Sequence, residues 1–466
     1  MMSHFTPVLA LATCIIAYSC SLSGACAQEE VELPSPAGPN KDLKEHTQPV
    51  INTDGETLQG AWAIALSVDP DLEATRWQAS AAQRGLHAAR AERLPSVSAR
   101  GSYSVFDNPL TLNAPVPPLG PIPPGTTASV TVNQREFFLG GVRATQPLYT
   151  FGRISSAIDA AGAEVTAAVA DGQRTELDVK LQVAQAYVGV LKAQRLVEVA
   201  DGGVESLKAH EREVKNLVDQ GVGIRANLLA VQVALANTSQ FRLQMQNLLT
   251  VSQAAYNRTL QRSLDNPVEI QDLTQPTQEY DLVLCISQAL GRRPEIGFLS
   301  AKVRSLRSMA KSIDAGKKPQ IVLDGGYSFI ENRYLEHESF NNVAVLAEWN
   351  FWDSGRKGHR TAQLEQSAEA LLRKRTHVES LITLQVKKAW HDLDSTQQQV
   401  NVNQTALESA DENLRVSRNR YQQGAGTNTE VLDAQTLRTQ AYSNYYGSLY
   451  DSVLAEMQLQ RAIGDL

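Results

Sequence analysis

Apolar and polar positions along the chain follow two rhythms. In one, alternate residues are apolar. Ser96 to Phe106 places Val97, Ala99, Gly101, Tyr103 and Val105 on one face and Ser96, Ser98, Arg100, Ser102 and Ser104 on the other, the period-two signature of a strand. Ile321, Leu323, Gly325, Tyr327 and Phe329 oppose Val322, Asp324, Gly326 and Ser328 with weaker contrast, and Val343, Val345, Ala347, Trp349 and Phe351 mark a further strand. About ten residues with one apolar and one polar face is the pattern of a transmembrane barrel strand. A soluble antiparallel sheet with one wet face gives the same pattern.

The second rhythm has period seven. No proline occurs from Ile154 to Gln220 or from Lys357 to Gln423, and a helix over either stretch would be about 100 Å long. Val386, Leu393, Val400, Leu407, Leu414 and Tyr421 recur at every seventh residue. So do Val183, Val190, Val197, Val204 and Val218, interrupted by Glu211, and small residues (Ala186, Ala193, Ala200, Ala389, Ala410) accompany them. Such a repeat suits close-packed, laterally associated coiled-coil helices.

The two rhythms are written twice. Ala65-Leu66, Pro70-Asp71-Leu72, Leu94-Pro95 and Tyr103 recur, offset by 224, as Ala289-Leu290, Pro294-Glu295-Ile296, Lys318-Pro319 and Tyr327. From Pro147-Leu148-Tyr149-Thr150-Phe151-Gly152-Arg153, matched by Asn350-Phe351-Trp352-Asp353-Ser354-Gly355-Arg356, the offset is 203, and it holds for Tyr187 with Trp390, Gly221 with Gly424 and Leu229 with Leu432. An internal repeat is the first feature any fold must accommodate. The 21-residue difference places an insertion in the proline-rich Asn108 to Thr127. Because proline breaks helices and removes ladder donors, the expectation there is an extended exposed loop at a surface tip. Each half reads helix, strand, loop, strand, very long helix, short turn, long helix. The boundaries expected are 57–263 for the first repeat, 264–276 for a linker and 277–466 for the second repeat.

The N-terminus adds an address. Pro7 to Cys20 is apolar, and Ala25-Cys26-Ala27 before Gln28 fits a signal-peptidase site. Residues 1–27 are therefore expected to be a signal peptide, followed by an extended segment over 28–56. Acylation of Cys26 is the alternative, although Leu22 lies four residues before it where a lipobox wants three. Cleavage leaves Cys285 as the one cysteine, set in an apolar helical pattern that suits a packed thiol.

Lys and Arg number 43 against 50 Asp and Glu, for a net charge of -7, with no basic block, so nucleic acid is not an expected partner. No His-x-x-x-His pair, CxxC, glycine-rich phosphate loop or G-x-S-x-G occurs, so neither an enzyme nor a cofactor is expected. His337 between Glu336 and Glu338 reads as a solvated loop rather than a metal ligand. Four strands cannot close a membrane barrel alone, and edges cannot stay open in lipid. In a membrane the chain would have to oligomerise, with three copies giving twelve strands.

Taken together, Pro70-Asp71-Leu72, Leu94-Pro95-Ser96-Val97-Ser98, Gln146 through Arg153, Arg420-Tyr421-Gln422-Gln423-Gly424-Ala425-Gly426 and Val431-Leu432-Asp433-Ala434 resemble the TolC family of outer-membrane factors over roughly Thr57 to Leu466. The resemblance implies a mostly α chain with a membrane β-barrel: a duplicated unit whose four strands complete a twelve-stranded trimeric barrel on a long α-helical barrel. It implies a homotrimer in outer-membrane lipid with a periplasmic extension, working with a periplasmic adaptor and an inner-membrane pump as a passive exit duct for small molecules or proteins. The alternative is a periplasmic coiled-coil adaptor or structural protein without a pore.

The resemblance also assigns positions. Gln220-Gly221-Val222 and Gln423-Gly424-Ala425 would be adaptor-docking helix tips, where the glycines also serve as helix caps. Glu430 and Asp433 would form acidic rings at the periplasmic entrance, although both are also ordinary acids of a helix start. Their first-half counterparts, Asn227 and Ala230, are neutral. Some members carry an acid where Asn227 stands and an arginine where Gly426 stands, so a locking network of that kind is not expected here. Tyr421 matches a tyrosine near the gate and also completes the heptad stripe.

Overall fold

A computed structural model describes residues 55–115, 127–275 and 278–466. The expected signal segment, Cys26 and nearly all of 28–56 lie outside the described residues. The first half runs α1 (Leu58–Val68), α2 (Pro70–Ala91), β1 (Ser96–Val105), β2 (Thr111–Pro115), β3 (Thr127–Thr131), β4 (Glu136–Tyr149), α3 (Arg153–Asp219) and α4 (Arg225–Thr259). The second runs α5 (Leu282–Arg292), α6 (Pro294–Ala315), β5 (Gln320–Ile330), β6 (Ser339–Glu348), α7 (Arg356–Gln422) and α8 (Asn428–Ile463). Corresponding elements start 224 residues apart up to β1 and β5 and 203 apart from β4 and β6 onward. The long helices α3 and α7 have 67 residues each.

Two expectations are corrected. Each half opens on two helices rather than one. Pro70 and Pro294 occupy first helical positions, and Asp69 and Arg293 before them are extended, because the proline ring excludes helical geometry from its predecessor. Thr57 and Asp281 cap the added helices through side-chain bonds from the Gly60 and Leu284 amides. The insertion also does form a ladder: β2 and β3 pair antiparallel from Thr111↔Thr131 to Pro115↔Thr127. A two-stranded ribbon has only edges, where a proline is tolerated. Of the other prolines of that stretch, Pro109 precedes β2, and Pro117 through Pro124 lie outside the described residues.

The chain divides into two compact units. One contains 83–162 and 304–368 and holds a four-stranded sheet in the order β1-β4-β5-β6, all neighbours antiparallel. The register puts Val97, Tyr103, Val105, Phe138, Val142, Leu323, Tyr327, Val343 and Val345 on one face. The other face carries Ser96, Ser98, Arg100, Ser102, Arg143, Thr145, Asp324, Ser328 and Asn342, together with Leu139, Val322 and Leu346. On it Asp324, only 4% exposed, accepts a hydrogen bond from Thr145 and pairs with Arg143 at 3.4 Å.

Glycine permits the close strand approach here. A Cβ on Gly326 would lie 2.6 Å from the Val142 carbonyl, and one on Gly141 would lie 2.7 Å from that of Tyr327. Glycine in a strand marks such bends and approaches. Each strand-to-helix turn is also built alike. Phe151-Gly152 and Ser354-Gly355 hold φ of 50, 89, 55 and 80°, two consecutive left-handed residues that swing the chain from β4 into α3 and from the end of β6 into α7. Asp353 accepts from the Gly355 and Lys357 amides at 3.1 Å each.

The second unit contains 55–82, 163–303 and 369–466 among the described residues. One core cluster joins α1 to α3, α4 and α8 through Leu58, Ala61, Val183, Tyr187, Val190, Tyr256 and Tyr450. Another joins α5 to α7 and α8 through Cys285, Ile382, Val386, Leu393 and Leu459. Burial pushes the Cys285 thiol up. The heptad residues Val386, Leu393, Val400 and Leu414 are buried, as are Val183, Val190 and Val204. Tyr187 and Trp390, repeat partners, serve similar ends. The Tyr187 hydroxyl lies 2.6 Å from the Gln271 carbonyl and 2.8 Å from that of Glu56, and Trp390 donates to the Tyr280 carbonyl at 2.8 Å. Burial first, then the Glu56 and Asp272 charges, lift the Tyr187 hydroxyl to about 12 against its hydrogen bond to Gln271. The Glu56 carboxylate is held by Arg262 and Tyr256.

Two partly buried carboxylates of this unit sit below their usual range. Burial would raise Asp272, but hydrogen bonds from Arg195 at 2.5 Å and Tyr450 at 2.8 Å outweigh it. Burial would raise Glu295, but two bonds from the buried Arg293 outweigh it. A depressed carboxylate adds stability above its unfolded value, about pH 4, and that contribution is lost as pH falls through its folded value. The helical circular-dichroism signal should therefore persist to below about pH 4 and collapse under stronger acid. The Asp272→Asn/Glu295→Gln variant should be less stable at pH 7 and show a shallower acid slope; an unchanged slope would contradict this account. For the sheet, Gly326→Val should cost about 1–3 kcal/mol, read as a lower melting temperature of the β signal.

Candidate functional site

The expected site residues fall at the two turns that end the long helices. Both turns close in the same way. At the first, Gly221 has φ +76°, its amide donates to the Val218 carbonyl, and the Val222 and Gly223 amides donate to that of Leu217. At the second, Gly424 has φ +73°, its amide donates to Tyr421, and the Ala425 and Gly426 amides donate to Arg420. This is the Schellman closure, which pairs the last helical carbonyls and demands a left-handed residue that glycine supplies without strain. The glycines two positions on are required sterically. A Cβ on Gly223 would lie 2.7 Å from the Val218 nitrogen, and one on Gly426 would lie 3.0 Å from the Arg420 Cβ.

Gln220, Gly221, Val222, Gln423, Gly424 and Ala425 are all exposed. At the first turn Val222 and Ile224 stand 72% and 65% exposed, an apolar pair without cover among the described residues. The second turn is polar. Arg420 reaches along it, donating to the Ala425 carbonyl at 3.2 Å and pairing with Glu430 at 3.3 Å. Glu430 also receives the α8 cap: its amide donates to the Thr427 side chain at 3.3 Å. Asp433, one turn further on, is exposed. The two acids therefore differ: Glu430 has a cation against it, and Asp433 has no ion-pair partner among the described residues.

Tyr421 is partly buried against Leu414, Val431 and Ala434. Burial, then the Glu213 charge, raises its hydroxyl. Its ring meets that of His210 edge-on at 5.2 Å. His210 and Asn428 were not among the expected residues. The signal for His210 was present: it stands three residues after Leu207 and four before Val214, both buried, so it shares their helix face. Arg420 could not be found by periodicity, because its partner Glu430 lies across the turn on another helix. His337 lies in the β5–β6 connection.

In the sheet unit the strand ends nearest the helices carry aromatic rings. Tyr149 packs on Phe151 at 4.6 Å and Trp349 on Phe351 at 6.0 Å, while Phe351 and Trp352 stand 79% and 77% exposed. A row of exposed aromatic rings bordering an apolar sheet face suits a membrane–water boundary. No helix among the described residues is long and apolar enough to cross a membrane.

An amphipathic sheet and duplicated long helices define a class of protein, and comparison with known families agrees. The family model for outer membrane efflux proteins matches residues 63–260 and 285–465. The chain belongs to the outer membrane efflux protein family, and its location is the outer membrane. It is 22% identical over 439 residues to outer membrane protein TolC of Vibrio cholerae, covering 88% of this chain and 91% of that one. The outer-membrane channel OprN superposes with a TM-score of 0.73 at 20% identity, over 88% of this chain and 90% of its own. The outer membrane protein VceC from Vibrio cholerae gives 0.72 at 14%, over 87% and 96%. The likeness to OprN and VceC is one of fold.

The turn geometry predicts a graded series. Gly223→Ala should destabilise more than Gly426→Ala, because the added Cβ would approach backbone to 2.7 Å at the first and no nearer than 3.1 Å at the second. Gly221→Ala should cost about 1 kcal/mol for the left-handed conformation. Thermal melts of the helical signal rank the three.

Proposed function

We propose that this protein is the outer-membrane exit duct of a tripartite efflux or type I secretion system, a passive trimeric conduit. The observation that carries the reading is the four-stranded amphipathic sheet with β1 and β6 at its edges, spliced at equivalent points into two long helical hairpins. Backbone groups on an open edge cannot be left unpaired in lipid. If β6 of one copy pairs with β1 of the next, three copies close a twelve-stranded wall. Its apolar face, with Val97, Tyr103, Val142, Val343 and Val345, meets lipid, and the face with Arg100, Arg143 and Asp324 lines water. The helices then form the periplasmic duct. Residues 57–263 and 277–466 act as two repeats joined by 264–276, behind a signal segment over 1–27 and an extended stretch over 28–56.

The adaptor docks at the helix tips. Exposed Val222 and Ile224 supply apolar contact at the first tip, and Gln423, Gly424 and Ala425 supply a polar one at the second. Chemistry inside the duct is not required of this chain: transport is driven by an inner-membrane pump. Three copies of Asp433 at the entrance concentrate negative potential and favour cations. Glu430 contributes less, because Arg420 lies 3.3 Å from it. Tyr421 packs beneath that entrance.

The test is conductance of the purified mature protein in planar bilayers. Small cation-selective steps are expected. Asp433→Asn should remove most of the selectivity, Glu430→Gln/Asp433→Asn the remainder, and Arg420→Gln should increase it by freeing Glu430. Steps unchanged by these substitutions would remove the acidic entrance and keep the duct. A well-folded trimer that never inserts would sink the duct and leave a periplasmic coiled-coil protein.

A further inference from the structure

Between α3, α4 and α8 lies a cavity of about 360 Å³, within the range of small-molecule sites, roughly 300–1,000 Å³. On α8 its lining residues Leu432, Gln435, Thr436, Thr439 and Ser443 recur at spacings of three and four, so they share one helix face. On α4 Ala234, Thr238 and Phe241 do the same, and Leu207 comes from α3. No charged residue lines the cavity among the described residues.

The floor is Gln435, 3% exposed. Its Oε1 accepts from Ser206 at 2.5 Å, and Ser206 is held in turn by Arg418. Its Nε2 is buried and has no hydrogen-bond partner among the described residues. A buried donor without an acceptor is destabilising. This donor lies beside the bare backbone of Gly203 on α3. A Cβ on Gly203 would stand 4.0 Å from Gln435 Nε2, 3.6 Å from Thr439 Oγ1 and 3.1 Å from Thr238 Cγ2. Three lining side chains from two helices thus converge where the third helix carries no side chain.

The walls have the opposite need. Thr238 donates to the Ala234 carbonyl at 2.9 Å, Thr436 to that of Leu432 at 3.0 Å, Thr439 to that of Gln435 at 3.0 Å and Ser443 to that of Thr439 at 2.9 Å. With each proton committed to its own helix, each hydroxyl offers the cavity lone pairs. One buried donor and several acceptors, set beside Leu207, Phe241 and Leu432, define the complement: an acceptor next to a donor, on an apolar body, without charge. A carboxamide carries both groups on one carbon. A carboxylate has no donor and brings a charge that nothing in the lining pairs. An ammonium has no acceptor.

The repeat supplies an internal contrast. The positions equivalent to Gly203, Thr238 and Thr439 are Ala406, Ala441 and Ala236. The equivalent of Gln435 is Gln232, which is exposed and donates to Glu211 at 3.0 Å. The set is therefore not a demand of folding that both hairpins share.

We infer that this cavity is a binding site for a small neutral carboxamide on an apolar or aromatic body, its carbonyl accepting from Gln435 Nε2 and its N–H groups donating to the Thr238 and Thr439 hydroxyls. A ligand held there bridges α8 to α3 and α4. The site does not rest on the duct reading.

Titration of the full-length purified protein with benzamide, followed by ligand-observed NMR, tests it. Benzamide should bind saturably. Acetophenone, which keeps the carbonyl without the N–H, should bind about tenfold more weakly, the factor for one hydrogen bond into a buried site. Benzoate and benzylammonium should bind more weakly still. Gln435→Glu keeps an acceptor for Ser206 and removes the donor, and it should weaken benzamide by about tenfold or more. Gly203→Ala sets a methyl among the three converging side chains at a position where alanine favours the helix, and it should weaken benzamide as well. No saturable binding means that ordered water alone satisfies Gln435, and it overturns the site. Equal binding of acetophenone or benzoate overturns the carboxamide assignment. Benzamide binding unchanged in both variants places the ligand elsewhere and is equally fatal. Should one variant fold poorly by circular dichroism, the other decides alone. A protein that binds benzamide through Gln435 yet forms no pore keeps the site and loses the duct.

Discussion

A helix of 67 residues leaves four amides and four carbonyls unpaired at its ends, and this chain carries two such helices. Nothing inside either helix can stop it: there is no proline, and the heptad stripe continues on both sides of its one interruption, Glu211. Everything else depends on how the ends are closed. At the start, the left-handed pairs Phe151-Gly152 and Ser354-Gly355 turn a strand into a helix. At the finish, Gly221 and Gly424 reverse the chain with the last carbonyls paired. These four turns fix where strands can be spliced in and where the returning helices α4 and α8 begin. Because they are built identically in both halves, the two hairpins match in length and the strands of both halves enter one sheet in register.

This dependence explains what could be read from the sequence. Heptads, proline-free runs and glycine positions are local signals with a single physical meaning, so α3 and α7 start within one residue of their expected starts. The strand faces followed from alternation because a one-residue slip would invert them. Of the two short helices, α5 showed itself only as the apolar helical pattern around Cys285, and α1 was missed because apolar residues such as Ala61 and Ala65 are small and eleven residues give a weak period. The β2–β3 ladder was missed because Thr111 to Ala114 and Thr127 to Thr131 are hidden among prolines and pair only with each other. Among the site residues the turns themselves were legible. The Arg420–Glu430 pair and the His210–Asn428 contact were not, because each joins positions on different helices that periodicity treats separately.

Duplication also sharpens the question of where function resides. Features shared by both halves, such as the glycine turns or the tie made by Tyr187 and by Trp390, meet the common demands of folding. Several departures fall at the hairpin ends. Leu217 stands where Arg420 does, Asn227 where Glu430 does, Ala230 where Asp433 does and Asn413 where His210 does. The first turn is accordingly apolar and exposed, and the second is charged and internally paired. A stability argument alone gives no reason for such a division, since Leu217 and Arg420 accept the same two backbone bonds. A division of labour does. An apolar tip gains from a partner that covers it, whereas the charged tip already has a partner for Glu430 and leaves Asp433 facing water. Placed between them, His210 bonds to Asn428 on the charged side, and through it to Asn227 on the apolar side. The two tips, unlike in surface chemistry, are therefore joined through a single buried ring.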